Sequence, residues 1–560
     1  MAYDMIVKNC WVFNSFLKRF NKVDVAIKEG KFAYLATSIK EDGATIIDGQ
    51  GAYMIPGLID IHMHIESSMS IPSRFADAVL PHGTTTVVAD PHEIANVFGE
   101  EGILFFLAQK TPLDIFYGIP SSVPATNPHL ETTGGLISEK EVISLMNDPR
   151  IICLGEVMNF HDVCYDNNSL SAKIIAACQK QRFQMPLEGH CPKISGEELA
   201  HFISKGISAD HTHQTAQSVY EKITNGMFLE IQRKSMSQEV IDTLIKNQFM
   251  EYFCLVTDDV MADKLRYGHL NELVALAIKL GMPKEMAIYC ATFTPARRMH
   301  LEDRGAIAPG RIADFILLDD VENFKIKAVY KKGINVESLP QTAIAPIPCA
   351  FRYSLKCAKA DKAAFSLEAK GQQALCNIMA IEPHSTFTHH QQRWLTIKDG
   401  KIQWQKELAL LTVFERYGKS GKYAHGLVAN SLKAQGAIAT TWAHDHHNVL
   451  VLGTNEDDML MAQHELINMQ GGFVVVKDQS VIAKCCLEIG GIVSARAIDK
   501  LGDDLEQVRA AMQQLGYEHD NEIMSISTLS LLVSPALKIS DKGLVLTKEQ
   551  KIIELVEEIR

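Results

Sequence analysis

Apolar residues recur along this chain in two different patterns, and the change from one pattern to the other divides the sequence into two parts. Near the N-terminus, short apolar runs separated by turn residues predict strands over 5–10, 22–28, 31–35 and 45–48. From residue 56 onward, short apolar strands alternate with helix-length amphipathic segments, among them 71–80, 139–147, 172–181 and 238–246. Such alternation is typical of a parallel sheet, because parallel neighbours need a crossover connection.

The alternating pattern from residue 56 onward predicts a closed barrel. Its strand candidates are 55–61, 85–89, 113–119, 151–155, 184–188, 206–209, 227–231 and 251–256. About eight strands over about 240 residues fit a (β/α)₈ barrel better than an open doubly wound sheet.

The chain then returns to strand-like sequence at 305–318, which can complete the N-terminal β-domain. We therefore predict a small β-sandwich domain from 1–55 and 301–338, with the barrel of 56–300 inserted into it. The Pro-rich segment 339–348 predicts a linker. Residues 349–560 predict a C-terminal mixed α/β domain, with strands near 394–397, 448–452 and 472–476 and a helix over 456–469.

Composition narrows the class of partner. The 560 residues are 47% hydrophobic and 22% charged, with a formal charge of -12, so a surface built for nucleic acid or anionic membrane is not expected. The twelve cysteines contain no Cys-x-x-Cys, which argues against a disulfide framework or a thiolate zinc knuckle. Without a signal sequence or a long apolar stretch, we expect a cytoplasmic protein that acts on a small molecule.

Polar residues gather where the predicted barrel strands end. His62 and His64 stand at alternate positions after an apolar run, so their side chains point the same way. Later strands end at Asp90-Pro91-His92-Glu93, Glu156, His190, His211 and Asp258. Active sites of this fold lie at that end of the barrel. Imidazoles and carboxylates together make a site for two divalent ions, with one carboxylate able to bridge them.

These residues stand in strings that resemble the amidohydrolase superfamily and, within it, the bacterial adenine deaminases. The strings are Pro-Gly-Leu-Ile-Asp-Ile-His-Met-His-Ile-Glu-Ser-Ser at 56–68, Asp-Pro-His-Glu-Ile-Ala-Asn-Val at 90–97, Gly-Glu-Val-Met-Asn at 155–159, Gly-His-Cys-Pro at 189–192, Asp-His at 210–211, Thr-Asp-Asp at 257–259 and Ala-His-Asp-His-His-Asn-Val at 443–449. The resemblance covers essentially the whole chain.

The resemblance implies hydrolytic deamination of adenine to hypoxanthine and ammonia, a purine-salvage reaction in which a metal-activated hydroxide attacks C6. It implies a binuclear centre of Mn²⁺ or Fe²⁺, with Zn²⁺ as an alternative, in which Glu156 bridges the two ions. The other implied ligands are His62, His64, His190, His211 and Asp258. An enzyme of this size is also commonly a homo-oligomer, a dimer or larger.

Further roles are expectations about the chemistry. Asp258 is the candidate for shuttling the proton of the attacking hydroxide, and His92 and Glu93 are candidates for ring N1 and substrate contact. Asp90 is a candidate substrate contact or orienting group. The alternative interpretation of this string is a polar loop that caps the following helix.

Three other residues are candidate substrate contacts. Glu66 and Ser67 follow the paired histidines and either contact the base at the rim of the barrel or fix the loop. Glu131 either reaches the substrate or is a solvated loop acid. The string His444-Asp445-His446-His447 is a second metal site, an arm reaching the barrel mouth, or a polar turn leading into a strand; the polar turn is favoured.

One position departs from the family pattern. The family usually has Glu after the histidine that ends the sixth strand, but this chain has Thr212 there. The departure leaves His211 intact and puts the contacts around it in question. His213 is a competing ligand candidate, although His211 is preferred.

Other functions remain open at this level. The zinc deaminases that use His-x-Glu and Pro-Cys-x-x-Cys are excluded, since Pro348-Cys349 lacks the second cysteine. The runner-up within the superfamily is hydrolysis of a cyclic amide or related heterocycle. A catalytically silent scaffold is the alternative from another class, but a scaffold would be expected to lose ligands.

Overall fold

The computed structural model describes residues 2–40, 43–182, 184–405 and 407–560. Two separate pieces of the chain build the first sheet, which is continuous and has eight strands. These strands are Met5–Asn14, Arg19–Lys28, Lys31–Ala36, Thr45–Asp48, Tyr53–Pro56, Phe315–Asp320, Lys325–Lys331 and Ile334–Asn335. The strand Tyr53–Pro56 pairs with Phe315–Asp320, so the sheet joins the chain before and after the barrel.

The barrel strands form a five-stranded and a three-stranded parallel sheet. They are Leu58–Met63, Thr84–Ala89, Asp114–Ile119, Ile151–Val157, Leu187–Gly189, Ala209–Asp210, Phe228–Ile231 and Phe253–Leu255. Backbone hydrogen bonds connect the two sheets at both joins: Ser208 N donates to Leu187 O at 3.0 Å, and Asp258 N donates to His62 O at 3.1 Å. The alternating pattern therefore corresponds to a closed ring, as expected for a (β/α)₈ barrel.

The helices of the barrel region follow its strands. They are Pro72–Val79, His92–Phe98, Glu100–Leu107, Glu139–Leu145, Phe160–Tyr165, Leu170–Gln181, Gly196–Ser204, Ala216–Thr224, Gln238–Lys246, Ala262–Leu265, Leu270–Lys279, Lys284–Cys290 and Phe293–Arg298. Gln238–Lys246 has the predicted bounds, and Ser237 caps it by accepting from Val240 N.

The first predicted barrel strand is wrong in its extent, as are 184–188 and 206–209, which the structure shows as Leu187–Gly189 and Ala209–Asp210. The apolar run 55–61 is two strands, because the chain leaves the first sheet at Pro56 and enters the barrel at Leu58. Gly57 stands at the crossing, where a Cβ would lie 2.2 Å from Thr85 Oγ1. The close approach of the neighbouring strand therefore requires glycine at this position.

Residues 339–348 have no regular secondary structure, as predicted for the linker. Beyond them lies a ten-stranded sheet made of Gln373–Ile381, Thr388–Lys398, Lys401–Ile402, Ala409–Phe414, Tyr423–Ala429, Ala437–Thr440, Val449–Gly453, Gly472–Lys477, Ser480–Cys486 and Val556–Ile559. Three further strands, Leu537–Ser540, Gly543–Leu546 and Lys551–Ile553, form a small antiparallel sheet. The helices here are Cys349–Arg352, Glu456–Asn468, Ile498–Gln514 and Glu522–Ser527.

The C-terminal region packs directly on the barrel. One continuous hydrophobic cluster includes barrel residues such as Ile94 and Val97 together with Trp442, Ile489 and Leu529 of the C-terminal region. Burial of this apolar surface fixes the C-terminal region against the carboxyl ends of the barrel strands. Among the described residues, none of the helices has the length and apolarity needed to cross a membrane.

Candidate metal centre and active site

The first residues of the site along the chain are two histidines at the end of the first barrel strand. His62 is the penultimate residue of Leu58–Met63, and His64 follows that strand; both side chains are buried. The buried Asp60 below them accepts from Thr257 Oγ1 at 2.6 Å. This bond ties the first strand to the end of the last, so the first and last predicted ligands lie side by side.

Glu156 lies at the centre of the predicted ligands. Its Oε2 is 2.7 Å from His190 Nδ1 and 3.1 Å from His211 Nε2. Its Oε1 is 3.3 Å from His64 Nε2. One carboxylate therefore reaches imidazoles from three different strand ends, which is the placement that a bridging ligand needs.

The remaining predicted ligands adjoin this centre. Asp258 Oδ1 lies 3.6 Å from His64 Nε2 and 4.0 Å from His62 Nε2. The rings of His62 and His211 stack with their centroids 3.6 Å apart. The structure thus gathers all six sequence-predicted ligands into one cluster, which includes the half-buried His190.

The cluster fits divalent ions. The ligand atoms of His62, His64 and Glu156 lie within 4.8 Å of one another, as do those of Glu156, His190 and His211. The buried His62 Nε2 has no hydrogen-bond partner within the described ranges. Nitrogen and oxygen donors in this mixture suit Mn²⁺, Fe²⁺ or Zn²⁺.

Electrostatics keep two of these groups, Glu156 and His62, in their ligating forms, whereas at His64 and His211 burial is outweighed by Glu156, which raises the pKa of both imidazoles. Burial opposes ionisation of Glu156, but His211 and His190 hold the pKa of its carboxyl well below the usual range. Burial and the neighbouring His211 hold the pKa of His62 well below its ordinary value. A carboxylate and a neutral imidazole are the forms that bind a cation.

Asp90 and His92 lie beside Glu156. Asp90 Oδ2 accepts from the Glu156 N–H at 2.8 Å, so this carboxylate orients the backbone of the central residue. A Cβ at Gly155 would lie 2.2 Å from the same oxygen, and this contact explains the glycine. His92 Nδ1 is 3.6 Å from Glu156 Oε1, at the start of the helix His92–Phe98.

Glu93 makes contacts that the sequence did not predict. Its two carboxylate oxygens contact His444 Nδ1 and His447 Nε2 of the C-terminal region. The polar-turn interpretation of 444–447 is therefore incomplete. The segment does precede the strand Val449–Gly453, but it also reaches the barrel mouth. The His-Asp-His-His string was visible in the sequence, whereas its partner more than 300 residues away carried no local signal.

The other predicted substrate contacts are buried. Glu66 lies inside the protein and not at an open rim, and its Oε1 accepts from the Ile94 N–H at 3.1 Å, which fixes the first turn of the following helix. Ser67 Oγ donates to Asp259 Oδ1 at 2.5 Å. Glu66 thus supports the alternative in which this segment fixes the loop.

Glu131 is not a solvated loop acid. Its side chain is buried, and its Oε1 accepts from the Thr126 N–H at 2.7 Å. Burial raises the pKa of this carboxyl to about 7, while its hydrogen bonds with Thr126 work in the opposite direction. Buried acids with raised pKa values are frequent at functional sites.

The departure at Thr212 has a structural explanation. Thr212 Oγ1 donates to Asp210 Oδ2 at 2.9 Å, and the buried Lys222 donates to the same oxygen at 2.7 Å. Thr212 therefore belongs to the support under His211. His213 is exposed, whereas His211 is buried beside Glu156.

Two further residues of the site were missed by sequence reasoning. Gln232 Nε2 donates to Asp258 Oδ2 at 2.7 Å and to His211 O at 2.9 Å. Glu230 Oε2 lies 3.7 Å from His62 Nδ1. Both residues belong to or follow the strand Phe228–Ile231, and their position at a strand end was the only signal that could have found them.

Comparisons with known proteins cover both parts of the chain. Residues 53–336 match the model of the amidohydrolase family, and residues 385–551 match that of the adenine deaminase C-terminal domain. Adenine deaminase 2 of Oenococcus oeni is 50% identical, over 99% of this chain and 98% of that protein. An adenine deaminase of Clostridium perfringens is 50% identical over 99% of this chain and 100% of that protein. A solved structure of an adenine deaminase covers 60% of this chain and 99% of that chain, with 18% identity and a TM-score of 0.46. From the full-length identity and the two family matches, the chain belongs to the adenine deaminases of the amidohydrolase family.

Proposed function

We infer that this protein hydrolyses adenine to hypoxanthine and ammonia. The observation that carries this inference is the cluster of imidazoles and carboxylates around Glu156 in a chain that is 50% identical, over its full length, to proteins named adenine deaminase. The membership explains the substrate, and the cluster explains how water is made reactive enough to replace an amine. We further propose that the reaction belongs to purine salvage in the cytoplasm.

We propose that two divalent ions, Mn²⁺ or Fe²⁺ with Zn²⁺ as an alternative, are bound by the cluster. Glu156 would contact both ions, and the other ligands would be His62, His64, His190, His211 and Asp258. Divalent ions bound there would lower the pKa of water towards about 7 and so supply hydroxide at neutral pH.

The residues around the ions then have to move protons. Asp258 accepts the proton of the attacking water, since it lies between His62 and His64 at the centre and is held there by Gln232. The oxygen adds to C6, and the ring electrons collect on N1. His92 donates a proton to N1, because its Nδ1 lies 3.6 Å from Glu156 Oε1, whereas both oxygens of Glu93 contact histidines of the C-terminal region.

Loss of the amine from the tetrahedral C6 completes the reaction. The proton on Asp258 passes to the amine, which leaves as ammonia, and the C6 hydroxyl proton returns to His92. The product then has a carbonyl at C6 and hydrogen on N1. Water has supplied one proton to ammonia and one to the ring, so no other reactant is needed.

The remaining acids bind or position. We propose that Glu93 accepts a hydrogen bond from an N–H of the purine and that Ser67 and Glu131 border the bound base. Asp90 and Glu66 contribute by holding the Glu156 backbone and the helix that carries His92. Glu93, Ser67 and Glu131 are thus assigned direct contacts with the purine, whereas Asp90 and Glu66 are assigned supporting roles.

The direct test is reconstitution. Purified protein depleted of metal is loaded with Mn²⁺, Fe²⁺ or Zn²⁺, and adenine, hypoxanthine and ammonia are followed together. We expect equal molar loss of adenine and gain of both products. Turnover of a cyclic amide such as hydantoin without turnover of adenine would favour the runner-up activity. A protein that retains no metal and cannot be reconstituted would favour the silent scaffold.

The oligomeric state is a separate proposal. We propose a homo-oligomer, a dimer or larger, that binds no nucleic acid and no membrane, in keeping with the acidic net charge. Light scattering on the eluted peak of a size-exclusion column measures the mass directly. A mass equal to that of one 62.2 kDa chain would contradict the proposal.

A further inference from the structure

The segment 443–448 of the C-terminal region forms a clamp around Glu93. His444 Nδ1 contacts one oxygen of the Glu93 carboxylate, and His447 Nε2 contacts the other. All three side chains are buried. A carboxylate in the barrel mouth is thus bound on both oxygens by imidazoles from a different part of the chain.

The clamp is rigid because its own region holds it. The His444 N–H donates to Ser527 Oγ at 3.0 Å, and Ser530 Oγ donates to the His444 carbonyl at 3.0 Å. Tyr417 Oη donates to the carbonyl of His446 at 2.6 Å. Three hydrogen bonds from the C-terminal region therefore fix the backbone of the segment.

The far side of the His447 ring is held by its own region. His447 Nδ1 lies 3.2 Å from Ala443 N and 3.3 Å from the Thr441 carbonyl oxygen, so the ring is oriented with Nε2 towards Glu93. With its hydrogen on Nε2, His447 donates a hydrogen bond to the carboxylate.

We propose that His444 and His447 are positioning residues of the active site, by which the C-terminal domain holds Glu93 as an oriented carboxylate for the purine. The proposal rests on the deaminase function inferred above. It assigns the C-terminal domain a part in the reaction, since neither imidazole belongs to the barrel. It also gives Glu93 the role of a hydrogen-bond acceptor, while protonation of N1 is assigned to His92.

The charges that face Glu93 support this assignment. His92 Nε2 lies 3.6 Å from Glu93 Oε1, on the same helix, and Asp445 Oδ1 lies 3.2 Å from His444 Nδ1 on the clamp. Burial favours the neutral acid, but His444 and His447 together hold the pKa of Glu93 well below its usual range. Removal of one imidazole should therefore raise the pKa of Glu93.

The test uses a matched pair of variants at position 447. Glutamine in His447→Gln can still donate to the carboxylate, whereas leucine in His447→Leu cannot. The control is His446→Asn on the same segment, because His446 Nδ1 accepts from the Asn448 N–H and an asparagine oxygen can replace that acceptor. Adenine kcat and KM, the pH profile of kcat/KM, bound metal and thermal unfolding are measured for each full-length protein.

We expect His447→Leu to lower kcat about 10- to 100-fold, the range typical when a partner that orients a functional group is lost. The acidic limb of its pH profile should move to higher pH, while bound metal stays at the wild-type value. His447→Gln should recover most of kcat, and His446→Asn should match the wild type.

Two outcomes overturn the proposal in distinguishable ways. If the wild type deaminates adenine and His447→Leu has the same kcat and pH profile, the positioning role is wrong and the proposed function stands. The same holds if the glutamine and leucine variants lose activity equally, since a merely structural role predicts that result. If the wild type deaminates no adenine with any metal, both inferences fail together.

Discussion

Replacement of Glu156 by glutamine should lower the metal content of the centre. The carboxylate of Glu156 is buried and lies within 3.3 Å of His64, His190 and His211, so it contacts predicted ligands from three strand ends. The substitution keeps the shape of the side chain and removes one negative charge. Two unit charges 4 Å apart interact by about 4 kcal/mol at an effective dielectric constant of 20. This energy corresponds to about 1,000-fold in affinity.

The assay is metal content by mass spectrometry after dialysis, with adenine turnover measured on the same samples. We expect bound metal to fall from about two ions per chain towards one or none, with activity falling in parallel. Glu131→Gln serves as the control for bound metal alone, because Glu131 is also a buried acid but accepts its hydrogen bonds from Thr126 and not from a predicted ligand. A Glu156→Gln protein that keeps both ions and full activity would refute the bridging assignment.

Three further substitutions test the supports of the site and of the fold. Gln232→Leu removes the amide that holds Asp258, and we expect metal affinity to fall about 10- to 100-fold in a competition with a chelator. Lys222→Met leaves Asp210 buried without its ion pair, which should cost about 3–5 kcal/mol in the free energy of unfolding by denaturant. Because Lys222 holds the pKa of Asp210 below its unfolded value, the wild type should lose this stabilisation as pH falls below about 4. Recovery of stability by a second change, Asp210→Asn, would confirm the mechanism. Burial lowers the pKa of Lys538 to about 7, so the unfolded chain binds more protons than the folded chain between pH 7 and about 10.4. The free energy of unfolding should therefore rise with pH across that window. Lys538→Met should flatten the rise, and an unchanged pH dependence would contradict the assignment.

Local patterns were sufficient to predict the barrel and the placement of its ligands. Strand and helix periods are properties of short segments, and a parallel barrel brings all its strand ends to one face. His62, Glu156 and Asp258 could therefore be predicted as neighbours without any knowledge of side-chain geometry. The structure places all three within the same cluster.

Contacts between distant segments could not be predicted in the same way. The run 55–61 is predominantly apolar and resembles a single strand, and only the neighbouring strand at Thr85 shows why it divides at Gly57. Glu93 and His447 are separated by more than 300 residues, and no periodicity links them. Likewise, the burial of Glu66 and Glu131 depends on packing that a loop sequence does not encode locally.

The clamp on Glu93 follows from a physical difficulty that the barrel alone does not solve. A carboxylate as completely buried as Glu93 is disfavoured as an ion, because burial raises the pKa of an acid. Imidazoles from the C-terminal region contact both of its oxygens. Burial also opposes a charge on His444, but Glu93 and Asp445 raise the pKa of His444 to about 10, so this imidazole is a cation at neutral pH and offsets the charge of the carboxylate. The clamp therefore supplies the counter-charge that keeps Glu93 ionised inside the protein.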